Sequence, residues 1–145
     1  MPAAPNATAS TKPFSGQRIL ICEDNHLIAM GWASVLTKEG YAVVGPVYTG
    51  EEALQMAFQD LPDLVLLDVG LAGDIDGISV AAELAPMGVG IIFVTSDYQR
   101  VALDGREYSS DVLIKPVAVS SVLHSIASIL RNKQMLGTNR AALNS

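Results

Sequence analysis

The chain lacks several features that would point to export or to membrane insertion. Cys22 is the only cysteine among 145 residues, so no disulfide can form within the chain. No apolar stretch approaches the roughly 20 residues that are needed to cross a bilayer. The N-terminal residues also lack the basic start and the apolar block of a secretory signal. We therefore expect a cytoplasmic protein that does not insert into a membrane.

Charge is scarce as well, and its balance is acidic. Charged residues make up 17% of the chain and hydrophobic residues 50%, with a formal net charge of -6. A chain of 145 residues is long enough for one well-packed domain and too short for two ordinary ones. Because broad nucleic-acid binding needs a basic face, we expect no nucleic acid as a partner. We predict a flexible leader over residues 1–16, a domain over 17–133 and a frayed tail over 134–145.

Apolar runs alternate along the chain with segments of helical period, which is the pattern of repeated βαβ units. The runs that predict strands are 19–22, 41–44, 64–67, 91–94 and 112–114. Between them, Asn25 can cap the first helix, and Thr49 with Glu52 has the spacing of a capping box for the second. Pro86 stops the third helix. We expect a short fourth helix and a long amphipathic fifth one.

Four of the apolar runs end at polar residues that could serve one reaction. These residues are Glu23, Asp24, Asp68, Thr95 and Lys115. In an open parallel sheet the functional crevice lies just beyond the carboxyl ends of the strands. The sequence therefore predicts one pocket in which three acids, a hydroxyl group and an ammonium group converge.

Such a pocket is suited to a divalent cation and a phosphoryl group. Three neighbouring acids repel one another unless a cation or a proton compensates, and Mg2+ prefers hard oxygen ligands. Asp68 could attack an activated phosphorus atom, while Lys115 pairs first with the carboxylate and later with phosphoryl oxygens. Thr95 would offer its hydroxyl group to the same oxygens. The alternative to these functional roles is a structural one. Asp68 would then be an acid that starts a loop, and Glu23-Asp24 would be a solvated strand end.

In their order along the chain, these residues resemble the motif of response-regulator receiver domains of two-component signalling. The matching residues are Glu23-Asp24-Asn25, Asp68, Asp76-Gly77, Thr95-Ser96 and Lys115-Pro116. They cover the chain from about Arg18 to Arg131. The resemblance implies an α/β fold with a doubly wound, five-stranded parallel sheet of order 2-1-3-4-5, flanked by five helices as in flavodoxin-like folds.

The resemblance also implies roles for these residues. Asp68 would accept a phosphoryl group from a histidine kinase or a histidine phosphotransfer protein, and Thr95 and Lys115 would bind the phosphoryl oxygens. The implied Mg2+ ligands are Glu23 through a bound water, Asp24, Asp68 and the carbonyl oxygen of Gly70. Such a domain is a phosphoacceptor rather than an enzyme, and at most it catalyses its own phosphorylation and dephosphorylation.

One position departs from the family pattern. Receivers commonly carry Tyr or Phe three residues before the lysine, where this chain has Val112. Tyr98 is the switch candidate in its place, because its packing could change when Thr95 moves; an ordinary half-buried tyrosine is the alternative. A cis bond between Lys115 and Pro116 would aim the lysine into the pocket.

Two other classes of protein use similar residues. An aspartyl-nucleophile phosphatase would need a second Asp two positions after Asp68, where Gly70 stands, so this class is disfavoured. The remaining alternative is a receiver-like docking module that needs no phosphorylation. The only sequence feature that favours it is Val112, which stands where receivers commonly carry an aromatic residue.

The short stretch after the last helix leads us to expect a stand-alone receiver. It would signal to a protein target, which the sequence does not identify, through contacts or through phosphorelay. Leu27 and Met30 lie off the packing face of the first helix and are candidate partner contacts. We expect a monomer or a weak dimer.

Overall fold

Five strands form one parallel sheet in the order β2-β1-β3-β4-β5. The structure, a computed structural model, describes residues 15–144, with side-chain surroundings up to residue 136. The strands are β1 Arg18–Cys22, β2 Ala42–Val47, β3 Leu64–Leu67, β4 Gly90–Thr95 and β5 Asp111–Ile114. This order confirms the expected doubly wound sheet. Its carboxyl edge brings together the ends of β1, β3, β4 and β5.

Helices cover both faces of the sheet. They are α1 His26–Lys38, α2 Gly50–Gln59, α3 Gly77–Leu84, α4 Tyr98–Arg100 and α5 Val119–Asn144. As expected, α4 is short, and it continues as a π-helical turn over Val101–Gly105 and a 3-10 turn over Arg106–Tyr108. Another 3-10 turn, Ala85–Met87, places Pro86 directly after α3.

Side-chain caps fix the starts of the helices that leave the carboxyl edge. The Oδ1 atom of Asn25 accepts a hydrogen bond from the N–H of Ile28 at 3.1 Å. Thr49 accepts one from the N–H of Glu52 at 3.2 Å, and Glu52 in turn accepts one from the N–H of Tyr48 at 3.2 Å. Both predicted caps are therefore present. In the capping box of α2, Glu52 accepts from the N–H of Tyr48, whereas the usual pattern uses the N–H of the cap residue Thr49 itself.

The last helix is longer than the sequence predicted. A frayed tail was expected from Gln134, but α5 continues to Asn144. The segment after Arg131 contains no proline, and the single Gly137 costs only about 1 kcal/mol of helix propensity, which is too little to stop a long helix. The predicted leader lies outside the described residues except for Ser15 and Gly16. The predicted domain boundaries remain expectations.

The core is divided between the two faces of the sheet. Leu20 and Ile21 are neighbours on β1, point to opposite faces and are both buried, as expected for a sheet with helices on each side. Phe93 of β4 anchors the face covered by α2 and α3, and Ile126 of α5 anchors the other face. Within residues 15–144, no helix combines the length and the hydrophobicity that a membrane span requires.

Candidate functional site

Three carboxylates meet at the carboxyl edge of the sheet. Glu23 and Asp24 follow β1, Asp68 follows β3, and one oxygen atom from each lies within 4.8 Å of the others. The two strands are hydrogen-bonded neighbours with Cys22 opposite Leu67, so the residues that follow them lie side by side. Glu23 is only 4% exposed, whereas Asp24 is exposed to solvent. The predicted convergence of the three acids is thus present in the fold.

Lys115 lies between two of these acids. Its Nζ atom is 2.6 Å from Oε1 of Glu23 and 3.1 Å from Oδ2 of Asp68. Its backbone N–H donates to the carbonyl oxygen of Thr95 at 2.9 Å, which holds the start of the next loop against the end of β4. The bond between Lys115 and Pro116 is cis. One ammonium group therefore pairs with two of the three carboxylates.

The pKa shifts of this group follow from burial and from pairing. Burial raises the pKa of Glu23, and the hydrogen bonds from Lys115 and from the N–H of Asn25 offset this only in part. Burial on its own would lower the pKa of Lys115, but hydrogen bonds to Glu23 and Asp68 outweigh it and raise the pKa above its ordinary value. The lysine therefore stays protonated, and it places a single positive charge beside three carboxyl groups.

Thr95 ends β4 and is 2% exposed. The register pairs Leu67 with Phe93, so Thr95 lies one residue further along the sheet than Asp68. Its Oγ1 atom accepts a hydrogen bond from the N–H of Asp97 at 3.0 Å. A hydroxyl group that accepts in this way keeps its own hydrogen for another acceptor.

Gly70, in the loop after Asp68, and Gly77, at the start of α3, differ in the space around them. The N–H of Gly70 donates to Oδ1 of Asp68 at 3.3 Å, and a Cβ atom at Gly70 would meet nothing within 4 Å. A Cβ atom at Gly77 would lie 2.1 Å from the carbonyl oxygen of Asp68. Glycine is therefore required at Gly77, because the start of α3 packs directly on the backbone of the candidate phosphoacceptor.

Tyr98, the switch candidate, lines a cavity whose walls include none of the three acids. It is 41% exposed at the start of α4, and the cavity of about 390 Å³ lies between α4 and β5. Val112 lies on the wall of the same cavity. The structure thus brings together the position that lacks the usual aromatic residue and the tyrosine that was suggested in its place.

Two contacts near the site were not found from the sequence. The ring of His26 stacks on Tyr48 with centroids 3.8 Å apart and an angle of 25° between the planes. Arg100 forms an ion pair with Asp76. Each contact joins two elements that are separated in the chain, and neither has a local spacing signal that could have revealed it.

The fold and this site define a receiver domain, and the comparisons with known proteins agree. A family model described as "Response regulator receiver domain" matches residues 19–127. The chain belongs to this family. The family consists of signalling phosphoacceptor domains of two-component systems rather than ordinary enzymes.

Individual relatives extend over most of the chain. The transcriptional regulatory protein PdtaR of Mycobacterium tuberculosis is 35% identical over 113 residues, which is 76% of this chain and 55% of PdtaR. The chain thus spans about half the length of this relative. The chemotaxis protein CheY of Thermotoga maritima is 26% identical over 117 residues, which is 79% of this chain and 98% of CheY.

Solved structures show the same fold. The signal receiver domain of a modulated diguanylate cyclase from Desulfovibrio desulfuricans is 35% identical, with a TM-score of 0.76 over 83% of this chain and 98% of that one. The response regulator TrrA of Thermotoga maritima, solved in complex with Mg2+-BeF, is 28% identical. Its TM-score is 0.70 over 78% of this chain and 98% of that one.

Proposed function

We propose that Asp68 accepts a phosphoryl group from a histidine kinase or a histidine phosphotransfer protein, in the presence of Mg2+. The chain then signals through protein contacts or passes the phosphoryl group on in a phosphorelay. The observation that supports this proposal best is the position of Lys115, whose ammonium group contacts both Glu23 and Asp68. The same ammonium group can move its contact from the Asp68 carboxylate to the oxygens of a phosphoryl group, which is what a phosphoacceptor site requires.

The donor set fits Mg2+. Three carboxylates within 4.8 Å of one another offer the hard oxygen ligands that this ion prefers, and one lysine leaves two of their three negative charges uncompensated. Glu23, Asp24 and Asp68 would hold the ion together with the carbonyl oxygen of Gly70. When bound, Mg2+ would supply the positive charge that offsets both the repulsion between the acids and the charge of an incoming phosphoryl group. The similar response regulator TrrA was solved in complex with Mg2+-BeF, which supports a Mg2+ site here by similarity.

The residues of this chain then have distinct tasks in the transfer. A carboxylate oxygen of Asp68 attacks the phosphorus atom, and the bond from phosphorus to the donor breaks, with its electron pair leaving on the donor. Before transfer, Lys115 holds Oδ2 of Asp68 while the N–H of Gly70 contacts Oδ1, so the carboxylate is oriented. After transfer, the ammonium group of Lys115 and the hydroxyl hydrogen of Thr95 bind phosphoryl oxygens.

The donor protein would approach beside α1. This helix begins two residues after Asp24, and its side chains Leu27 and Met30 are 84% and 57% exposed. An apolar groove of about 390 Å³ adjoins the site, lined by Ile28, Trp32, Val94, Lys115, Pro116 and Val117. Exposed apolar side chains beside a groove of this kind are suited to packing against a helix of the donor.

The competing function is a docking module that works without phosphorylation, and Val112 is the observation that favours it. The two functions differ in what happens when Asp68 is replaced by asparagine. A docking module would keep its partner affinity and its signalling activity in Asp68→Asn, whereas a phosphoacceptor would lose the signal.

The first test is mass spectrometry after incubation with Mg2+ and acetyl phosphate. We expect one phosphoryl adduct on the native chain and none on Asp68→Asn. The control is Asp74→Asn, which removes an exposed acid from the same loop and should keep the adduct. If neither acetyl phosphate nor candidate kinases modified the native chain, the docking function would be preferred.

A further inference from the structure

An ion pair ties the loop that follows Asp68 to α4. The guanidinium group of Arg100 pairs with Oδ2 of Asp76, and neither side chain is fully exposed. Asp76 is also the cap of α3, because its Oδ1 atom accepts a hydrogen bond from the N–H of Ser79 at 2.8 Å. Partial burial alone would raise the pKa of Asp76, but the hydrogen bonds from Ser79 and the charge of Arg100 outweigh it and lower the pKa. The carboxylate is thus held in its charged form.

The Asp76 end of this pair is fixed against the candidate phosphoacceptor. The N–H of Gly77 donates to the carbonyl oxygen of Val69 at 3.0 Å, and the α-carbon of Gly77 packs so closely on Asp68 that no side chain fits between them. Asp76 precedes this contact directly. Its position is therefore set by the backbone at the end of β3.

The Arg100 end is connected to Thr95 through a short capped turn. The N–H of Asp97 donates to Oγ1 of Thr95 at 3.0 Å, and Oδ1 of Asp97 accepts a hydrogen bond from the N–H of Arg100 at 3.2 Å. Two hydrogen bonds therefore link the Thr95 hydroxyl group to the backbone of Arg100. This turn is the path by which a displacement of the Thr95 side chain would reach Arg100.

We propose that the ion pair between Arg100 and Asp76 holds the turn from Thr95 to Arg100 in its unphosphorylated position, and thereby opposes phosphorylation of Asp68. This inference rests on the proposed function, in which Thr95 binds a phosphoryl oxygen. When Thr95 moves toward that oxygen, the turn shifts Arg100 relative to Asp76, which stays fixed against the end of β3. A contact made in only one of two states stabilises that state. Arg100 is thus a positioning residue that links the site to α4. This chain has Val112 at the position where receivers commonly carry an aromatic residue.

Four variants test the pair. Arg100→Gln and Asp76→Asn each remove the ion pair. The double variant removes both partners and therefore loses the same single pair, and Arg100→Lys keeps the positive charge. Asparagine is as good a helix cap as aspartate, so Asp76→Asn leaves the start of α3 intact. The matched control is Arg106→Gln, which removes the same charge from an exposed side chain in the following 3-10 turn.

The measurement is a calorimetric titration with beryllium fluoride in the presence of Mg2+, because this complex mimics the phosphoryl group on aspartate. We expect about two- to fivefold tighter binding in Arg100→Gln and in Asp76→Asn, since a partly exposed pair is worth roughly this factor. The double variant should bind no more tightly than either single one. Arg106→Gln should match the native chain, and Arg100→Lys should lie close to it.

A second readout separates this role from simple structural damage. Both single variants should lower the melting temperature of the unphosphorylated chain while they tighten binding of beryllium fluoride. Binding that is unchanged or weaker in Arg100→Gln than in Arg106→Gln would overturn the inference, and so would additive effects in the double variant. A native chain that binds beryllium fluoride while the variants do not differ from it leaves the proposed function standing. A native chain that neither binds it nor becomes phosphorylated overturns both.

Discussion

The ammonium group of Lys115 lies closer to Glu23 than to Asp68, at 2.6 Å from Oε1 of Glu23 against 3.1 Å from Oδ2 of Asp68. Under the proposed function, the shorter of the two lysine contacts is therefore made to a candidate Mg2+ ligand, Glu23, and the longer one to the phosphoacceptor, Asp68. A cation bound at Glu23 would repel the ammonium group and favour its pairing with Asp68 instead. Under the proposed function, cation binding and the orientation of the Asp68 carboxylate are therefore coupled.

Replacing Lys115 with methionine should tighten Mg2+ binding by about three- to tenfold, because the variant no longer places a positive charge among the acids. The same change should lower the free energy of unfolding without Mg2+ by about 1–2 kcal/mol, since two hydrogen bonds to charged groups are lost at a partly exposed site. Calorimetric titration and urea unfolding measure the two effects. Lys133→Met is the control, because Lys133 contacts the carbonyl oxygen of Asp63 at the opposite edge of the sheet. Unchanged Mg2+ affinity in Lys115→Met would contradict the coupling.

Asp76 should contribute a specific acid sensitivity. Its pKa is lower in the folded chain than the ordinary value of 3.8, so its contribution to stability is present above that value. This contribution is lost as the pH falls through the lower folded pKa. The difference in unfolding free energy between the native chain and Asp76→Asn should therefore shrink as the pH is lowered from about 6 toward 3. A constant difference across this range would show that the charge of Asp76 does not stabilise the fold.

Gly70, in the loop after Asp68, and Gly77, at the start of α3, should respond differently to alanine. Gly77→Ala places a methyl group 2.1 Å from the carbonyl oxygen of Asp68, and relief requires a backbone shift. We expect a loss of about 3 kcal/mol or more in the free energy of unfolding. Gly70→Ala meets nothing within 4 Å and should change stability by less than about 0.5 kcal/mol. Denaturant unfolding of both variants checks this, and equal losses would show that the close packing at Gly77 is not the cause.

Leu27 should matter for a protein donor but not for a small one. With a histidine kinase that phosphorylates the native chain, Leu27→Ser should raise the apparent KM for the chain about fivefold, because an apolar contact of the interface is lost. Its reaction with acetyl phosphate should stay unchanged. Leu103→Ser is the matched control, since Leu103 is 83% exposed and lies in the π-helical turn after α4. Equal effects of the two variants on the kinase reaction would remove α1 from the proposed docking surface.

Element boundaries were predicted best where the cause is local. The caps at Asn25 and Thr49 depend on residues within three positions of one another, and both were found from the sequence. Strand β2 was predicted to end at Val44 but continues to Val47, through the Gly45-Pro46 pair. Proline is tolerated there because β2 is an edge strand. The place of a strand in the sheet is a tertiary property that the hydrophobic pattern does not contain.

The sequence by itself determined the order of strands and helices and the polar residues at the strand ends, because period and capping are properties of neighbouring residues. With parallel strands assumed, it also brought Glu23, Asp68 and Lys115 to one edge. Only the tertiary structure decided that the lysine pairs with both acids and that Arg100 pairs with Asp76. These contacts join residues 92, 47 and 24 positions apart. They depend on how the crossover connections orient each side chain, and no local pattern specifies that orientation.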